Sequence, residues 1–133
     1  MKIRTSFVSN SSSSSFIVLF PHVPKDVDDV HEMMFGEEEQ TIQPYDVPLS
    51  SKFVATQVYH DTRRQPEDLN EELQQLFQSL SRNKKDAKTW LKKQTGDSKI
   101  YVFEWGDENG LAEGIMEHGN IFEGLPHVRI SRH

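Results

Sequence analysis

Lys99-Ile100-Tyr101-Val102-Phe103-Glu104-Trp105 is the stretch on which the fold turns. Between its two charged residues, and at its end, every side chain is β-branched or aromatic, the kind that packs well on a pleated surface. Successive side chains of a strand point to opposite faces. Ile100 and Val102 therefore share one face, and Tyr101, Phe103 and Trp105 the other. With both faces apolar, the stretch reads as the central strand of a sheet. Aromatics at period two read as core under a helix rather than as a surface for stacking ligands.

Working back toward the N-terminus, Leu69, Leu73, Leu76, Phe77 and Leu80 recur at helical spacing and predict an amphipathic helix. Pro66 suits its first position. Asn83 reads as the cap of a further helix carrying Ala87, Trp90 and Leu91 and ended by Gly96. Phe53 to His60 reads as a strand, with Phe53, Ala55 and Gln57 alternating against Val54, Val58 and Tyr59. Residues 36–50, with Glu37, Glu38, Glu39, Pro44 and Pro48, read as an exposed acidic and proline-bearing loop. Val27, Val30 and Met34 mark one helical face, opened by Pro24-Lys25-Asp26 and stopped by Gly36. Phe16 to Phe20 reads as a buried strand. A serine-rich loop, residues 9–15, separates it from a first strand at Phe7-Val8.

Toward the C-terminus, Gly106 to Gly110 has turn composition. Leu111 to His118 reads as a returning strand weakened by Gly114. Ile121-Phe122 starts a short helical turn stopped by Gly124 and Pro126, and Val128 to Ser131 forms a last strand. The irregular order of strands and helices predicts a single α+β domain over residues 1–133. Its sheet is mixed or mostly antiparallel, with the helices packed on one face.

Composition narrows the classes. A chain of 133 residues suits one domain. Without cysteine it builds neither disulfides nor a thiolate zinc site. The longest apolar run, Phe16 to Phe20, is far short of a membrane span and of a secretory core, so the reading is a cytoplasmic protein with no membrane partner. A net charge of −6 speaks against general nucleic-acid binding, which relies on clustered cations. The dense basic stretch runs from Arg82 to Lys93.

The opening Phe7-Val8-Ser9-Asn10-Ser11-Ser12-Ser13-Ser14-Ser15-Phe16, after Met1-Lys2-Ile3-Arg4, resembles that of a loose group of uncharacterised phage and bacterial proteins. The resemblance covers residues 1–18 only, and Ser6 stands where the group has glycine. It implies a bacterial or phage origin and an accessory role. No catalytic residue carries over.

Two sets of residues are candidate sites. Ser9, Asn10, Ser11, Ser12, Ser13, Ser14 and Ser15 offer hydroxyls and loop amides for an anion, or targets for phosphorylation or recognition. They lack the glycines and lysine of a phosphate loop, and a plain polar connection is the alternative. The second set is His60, Asp61, His118 and His127, which suit a divalent metal only if the fold brings them together, because no local ligand signature is present. No cofactor is otherwise implied. Asp107-Glu108-Asn109-Gly110 has calcium-type oxygens but reads as a hairpin turn. The leading expectation is a small noncatalytic accessory or binding protein with a protein partner. The alternatives are a small metal-dependent hydrolase using the His, Asp and Glu set, and an acidic inhibitor of a nucleic-acid-handling enzyme.

Overall fold

The computed structural model describes residues 13–44, 47–78, 84–106 and 111–131. Its order is β1 (Ser13–Phe20), α1 (Val27–Phe35), β2 (Thr41–Ile42), β3 (Leu49–Ser50), α2 (Ser51–Thr62), α3 (Leu69–Gln78), α4 (Lys84–Leu91), β4 (Lys99–Gly106), α5 (Leu111–His118) and β5 (His127–Ser131). This is an α+β fold. Both sheets are antiparallel: one of three strands in the order β4-β1-β5, and the small β2-β3 ribbon. Among the described residues no helix is long and apolar enough to cross a membrane.

Register places Phe16 opposite Phe103 and Val18 opposite Tyr101 on one face, and Ile17 opposite Val102 on the other. The first face packs with Val30 and Met34 of α1, Val54, Ala55 and Val58 of α2, and Ile115 and Met116 of α5. The second packs with Leu73, Leu76 and Phe77 of α3 and with Ala87 and Trp90 of α4. Helices thus cover both faces, where one covered face was expected. The reason lies in β1 and β4, which are apolar on both sides and need a cover on each.

β4 is also an edge strand rather than a central one. Its outer rim is closed by side chains: Gln65 Nε2 donates to Val102 O (3.0 Å), Val102 N donates to Gln65 Oε1 (2.7 Å), and Ile100 N donates to Gln94 Oε1 (2.9 Å). The Gln65 amide imitates one residue of a neighbouring strand, which removes the cost of unpaired edge groups.

Three local expectations are overturned. Phe53–His60 is helix α2, not a strand. Ser50 caps it, its Oγ accepting from Phe53 N at 3.1 Å. Leu111–His118 is helix α5, not a strand, and it ends in Gly119 and Asn120, the latter at φ 56°, a conformation asparagine tolerates. A Cβ on Gly119 would sit 2.5 Å from Ile115 O, so this close packing requires glycine. Ser13, Ser14 and Ser15 are strand, not loop. Ser14 and Ser15 pair with both β4 and β5. The expected strand at Phe7-Val8, the tract residues Ser9 to Ser12, Asn83 and the turn at Asp107 to Gly110 lie outside the described residues.

The remaining elements follow expectation more closely. In α1, Asp26 accepts from Asp29 N at 2.8 Å and Gly36 (φ 90°) closes the helix. The 36–50 segment is exposed at Glu37–Glu39 but also contributes the β2-β3 ribbon. α3 begins at Leu69 behind Asp68, whose Oδ1 accepts from Glu71 N at 3.0 Å, so Pro66 precedes the helix rather than opening it.

Candidate functional site

The core takes only one stripe of α2, formed by Val54, Ala55 and Val58. An adjacent stripe at i, i+4 and i+8 carries Phe53, Gln57 and Asp61, and Arg64 follows just past the helix end. This stripe forms one wall of a cleft of about 390 Å³, within the size range of ligand sites. The facing wall comes from Glu104 and Trp105 at the end of β4, and from Ala112, Glu113 and Met116 on α5. Glu113 Oε1 accepts from Gly106 N at 3.2 Å, tying the start of α5 to the end of β4. Phe53 stays 40% exposed, although its helix has a core available. The cleft lining therefore includes three acidic residues, one arginine, one glutamine and the exposed Phe53 ring, while Trp105 and Met116 behind it are 4% and 2% exposed.

Two polar clusters lie in the interior. Ser14, fully buried on β1, donates to Glu117 Oε2 at 2.6 Å and accepts from Arg129 Nε and Nη2, both at 3.2 Å. Arg129 Nη2 also donates to His118 Nδ1 at 3.3 Å, and His118 Nε2 lies 3.2 Å from Glu117 Oε1. Arg129 further stands over the Phe16 ring, 5.8 Å from its centroid. A buried carboxylate is thus held by a hydroxyl and a nearby cation, the condition for keeping a charge inside a protein. The cluster joins β1, β5 and α5.

The second cluster is a Ser–His pair that no sequence pattern announced. His31 Nδ1 donates to Gly36 O at 2.9 Å, so Nε2 accepts from the Ser51 hydroxyl at 2.7 Å. Ser51 Oγ in turn accepts from Gln40 N at 2.7 Å. Serine, imidazole and an orienting oxygen resemble an activated nucleophile. Ser51 is fully buried, however, and the arrangement fastens α1, the β2-β3 ribbon and α2 together.

The predicted metal set is dispersed among these features. His60 is exposed on α2 beside Tyr59. Asp61 lines the cleft. His118 joins Arg129 and Glu117. His127 donates through Nδ1 to Leu125 O at 2.9 Å. Among the described residues no three His, Asp or Glu side chains are grouped to hold a metal ion. Of the serine tract, Ser14 has its hydroxyl committed to Glu117 and Arg129. Ser15 Oγ is buried with no hydrogen-bond partner among the described residues. Neither presents a hydroxyl at the surface of the folded chain.

No family model matches this chain, and neither a curated protein nor a solved structure matches it.

Proposed function

We propose that the chain is a small noncatalytic accessory protein that binds a protein partner through the α2–β4–α5 cleft. The observation that carries this reading is the second face of α2. Phe53 stays 40% exposed at the edge of a cleft whose other wall is set by Trp105 and Glu113. An aromatic side chain at the edge of a cleft is the kind of anchor in which protein interfaces are enriched. The hydroxyl and imidazole groups that suggest chemistry are supporting evidence of another kind, since Ser14, Ser51 and His31 are spent inside the fold.

The test is photocrosslinking in the native host. The full chain carries benzoylphenylalanine in place of Gln57 inside the cleft, or in place of Glu38 in the exposed acidic segment. Position 57 is expected to trap one discrete protein that position 38 does not, and the purified partner should bind Phe53→Ala more weakly than wild type. The same adducts from both positions, or equal affinity for Phe53→Ala, would sink the proposal.

A further inference from the structure

The two edges of the three-stranded sheet are finished differently. β4 has its outer rim closed by Gln65 and Gln94. β5 is the opposite edge, and its pairing with β1 fixes which of its backbone groups are left over. One step beyond the Val18–His127 pair, Leu19 N donates to Pro126 O at 2.9 Å. Bonded and unbonded pairs alternate along an antiparallel ladder. Val128 and Ile130 therefore turn their N–H and C=O toward β1, and His127 and Arg129 turn theirs away from it. The same alternation turns Ile100 and Val102 outward on β4, and these are the residues that Gln94 and Gln65 meet. The outward N–H and C=O of His127 and Arg129 meet no hydrogen-bond partner among the described residues.

We propose that β5 pairs antiparallel with β5 of a second copy of this chain, about a two-fold axis, so that two sheets join into one in the order β4-β1-β5-β5-β1-β4. The fit is one of complementary partial charge, since a row of outward N–H and C=O groups matches its own antiparallel image. An open edge is a template for another strand. A peptide added to β5 would carry a new open rim of its own, whereas a second copy ends the sheet on a β4 rim that its own glutamines already close. Nothing on β5 guards the edge. Pro126 stands at an inward position, so its missing N–H leaves the outer rim intact. Arg129 leans back across β1, to Ser14 Oγ and over the Phe16 ring, away from the rim. Side chains choose the register. Centring the axis on Arg129 would set like charges directly opposite, which is destabilising. Centring it on Val128 sets Arg129 opposite His127 of the second copy, where each pair exchanges both of its backbone bonds. On the α3–α4 face the half-buried Val128 then meets its own copy, and buried Ile130 meets the exposed Pro126. The proposal is independent of the cleft, which lies at the β4 edge.

The experiment is sedimentation equilibrium of the full, tag-free chain, followed by variants at the axis. The mass should rise from 15.4 kDa to twice that value. A single strand pair is a small interface, so the midpoint is expected at about 1–100 μM. Val128→Glu and Val128→Lys each place like charges against each other on the axis, and each should weaken association by about tenfold or more. An equimolar mixture of the two should recover it as a mixed dimer, seen by native mass spectrometry, because position 128 meets itself only in this register. A variant that merely disturbed the fold would not be rescued by its opposite. Should either charged variant fail to fold, Val128→Cys decides the matter. The chain has no cysteine of its own, so this thiol is the only one present. Under copper–phenanthroline oxidation it should give a disulfide-linked pair, and Glu38→Cys in the exposed acidic segment should not. A wild-type chain still monomeric at about 1 mM, association unchanged by both charged variants, no recovery in their mixture, or equal crosslinking at positions 38 and 128 would each overturn the proposal.

Discussion

Glu117 and Arg129 form a pair whose members differ in access to water. The Glu117 side chain is fully buried, while Arg129 keeps 38% of its side-chain surface exposed, with Nη2 3.9 Å from Glu117 Oε2. The cost of breaking such a pair depends on which charge stays behind. Arg129→Met strands a carboxylate inside, and an uncompensated buried charge costs about 3 kcal/mol or more. Glu117→Gln leaves Arg129 able to turn to water and preserves an oxygen for the Ser14 hydroxyl, so about 1 kcal/mol is expected, the worth of one hydrogen bond. Denaturant unfolding of the two variants measures this directly. A Glu117→Gln loss equal to or larger than that of Arg129→Met would show that the carboxylate is not held as a charge. The same cluster explains why the serine tract enters the sheet. Ser14 is a weak strand former by propensity, and its place in β1 is secured by Glu117 and Arg129, 103 and 115 residues away in sequence. No local pattern carries that information.

Elements were legible where one apolar stripe alone governs them. α1 and α3 follow their periodicity because each has one buried face, and β4 and Phe16–Phe20 were plain from their density of β-branched and aromatic residues. α2 was hidden by Phe53. Val54, Ala55 and Val58 make a helical stripe, but a second apolar residue beside it produced the alternation of a strand. The residue that obscured the helix is the one that lines the cleft, so the misreading and the candidate site have the same cause. The usable signal was Ser50, a cap three residues before Phe53. α5 was masked differently, by Gly114, which is buried within the helix. β4 looked central because apolarity reports covered faces and says nothing of which backbone edge is paired. At the start of α1, Asp29 shows how an element end acquires pH dependence. Burial alone pushes its carboxyl up. The Lys25 amide (2.9 Å), the His22 ring (2.8 Å) and the positive charges of both residues together carry it below its ordinary value of 3.8. A carboxylate lowered on folding contributes stability that is complete above the unfolded value and fades as pH falls through the folded one. Asp29→Asn should therefore melt below wild type at neutral pH, with the gap closing as pH falls below the ordinary value of 3.8 and the wild-type carboxylate protonates. A gap that stays constant on acidification would show that the charge contributes nothing.

At the scale of the whole molecule, two apolar layers share one thin sheet. Trp105 lies in the layer with α1, α2 and α5, and Trp90 in the layer with α3 and α4. The chain has these two tryptophans and no others, so Trp105→Phe and Trp90→Phe each leave a reporter on one side. β1 belongs to both layers at once, with Phe16, Val18 and Phe20 on one face and Ile17 on the other. Neither layer can open without exposing the backs of the residues that anchor its neighbour, and this predicts one cooperative transition. Leu76→Ala provides the sharper form of the test. Leu76 is fully buried in the α3–α4 layer, and its truncation should cost about 2–5 kcal/mol. That loss should appear in full at Trp105, across the sheet, as an equal shift of the urea midpoint seen by its fluorescence and by far-ultraviolet circular dichroism. Were the layers independent, Trp105 would keep its wild-type midpoint while part of the helical signal melted early. The cleft lies between α2, α5 and the end of β4, all in the Trp105 layer, but β4 is also packed from behind by α3 and α4. If the transition is single, the geometry of the cleft depends on a helical pair that does not line it, and Leu76→Ala should loosen the cleft only in proportion to the fraction of molecules that unfold.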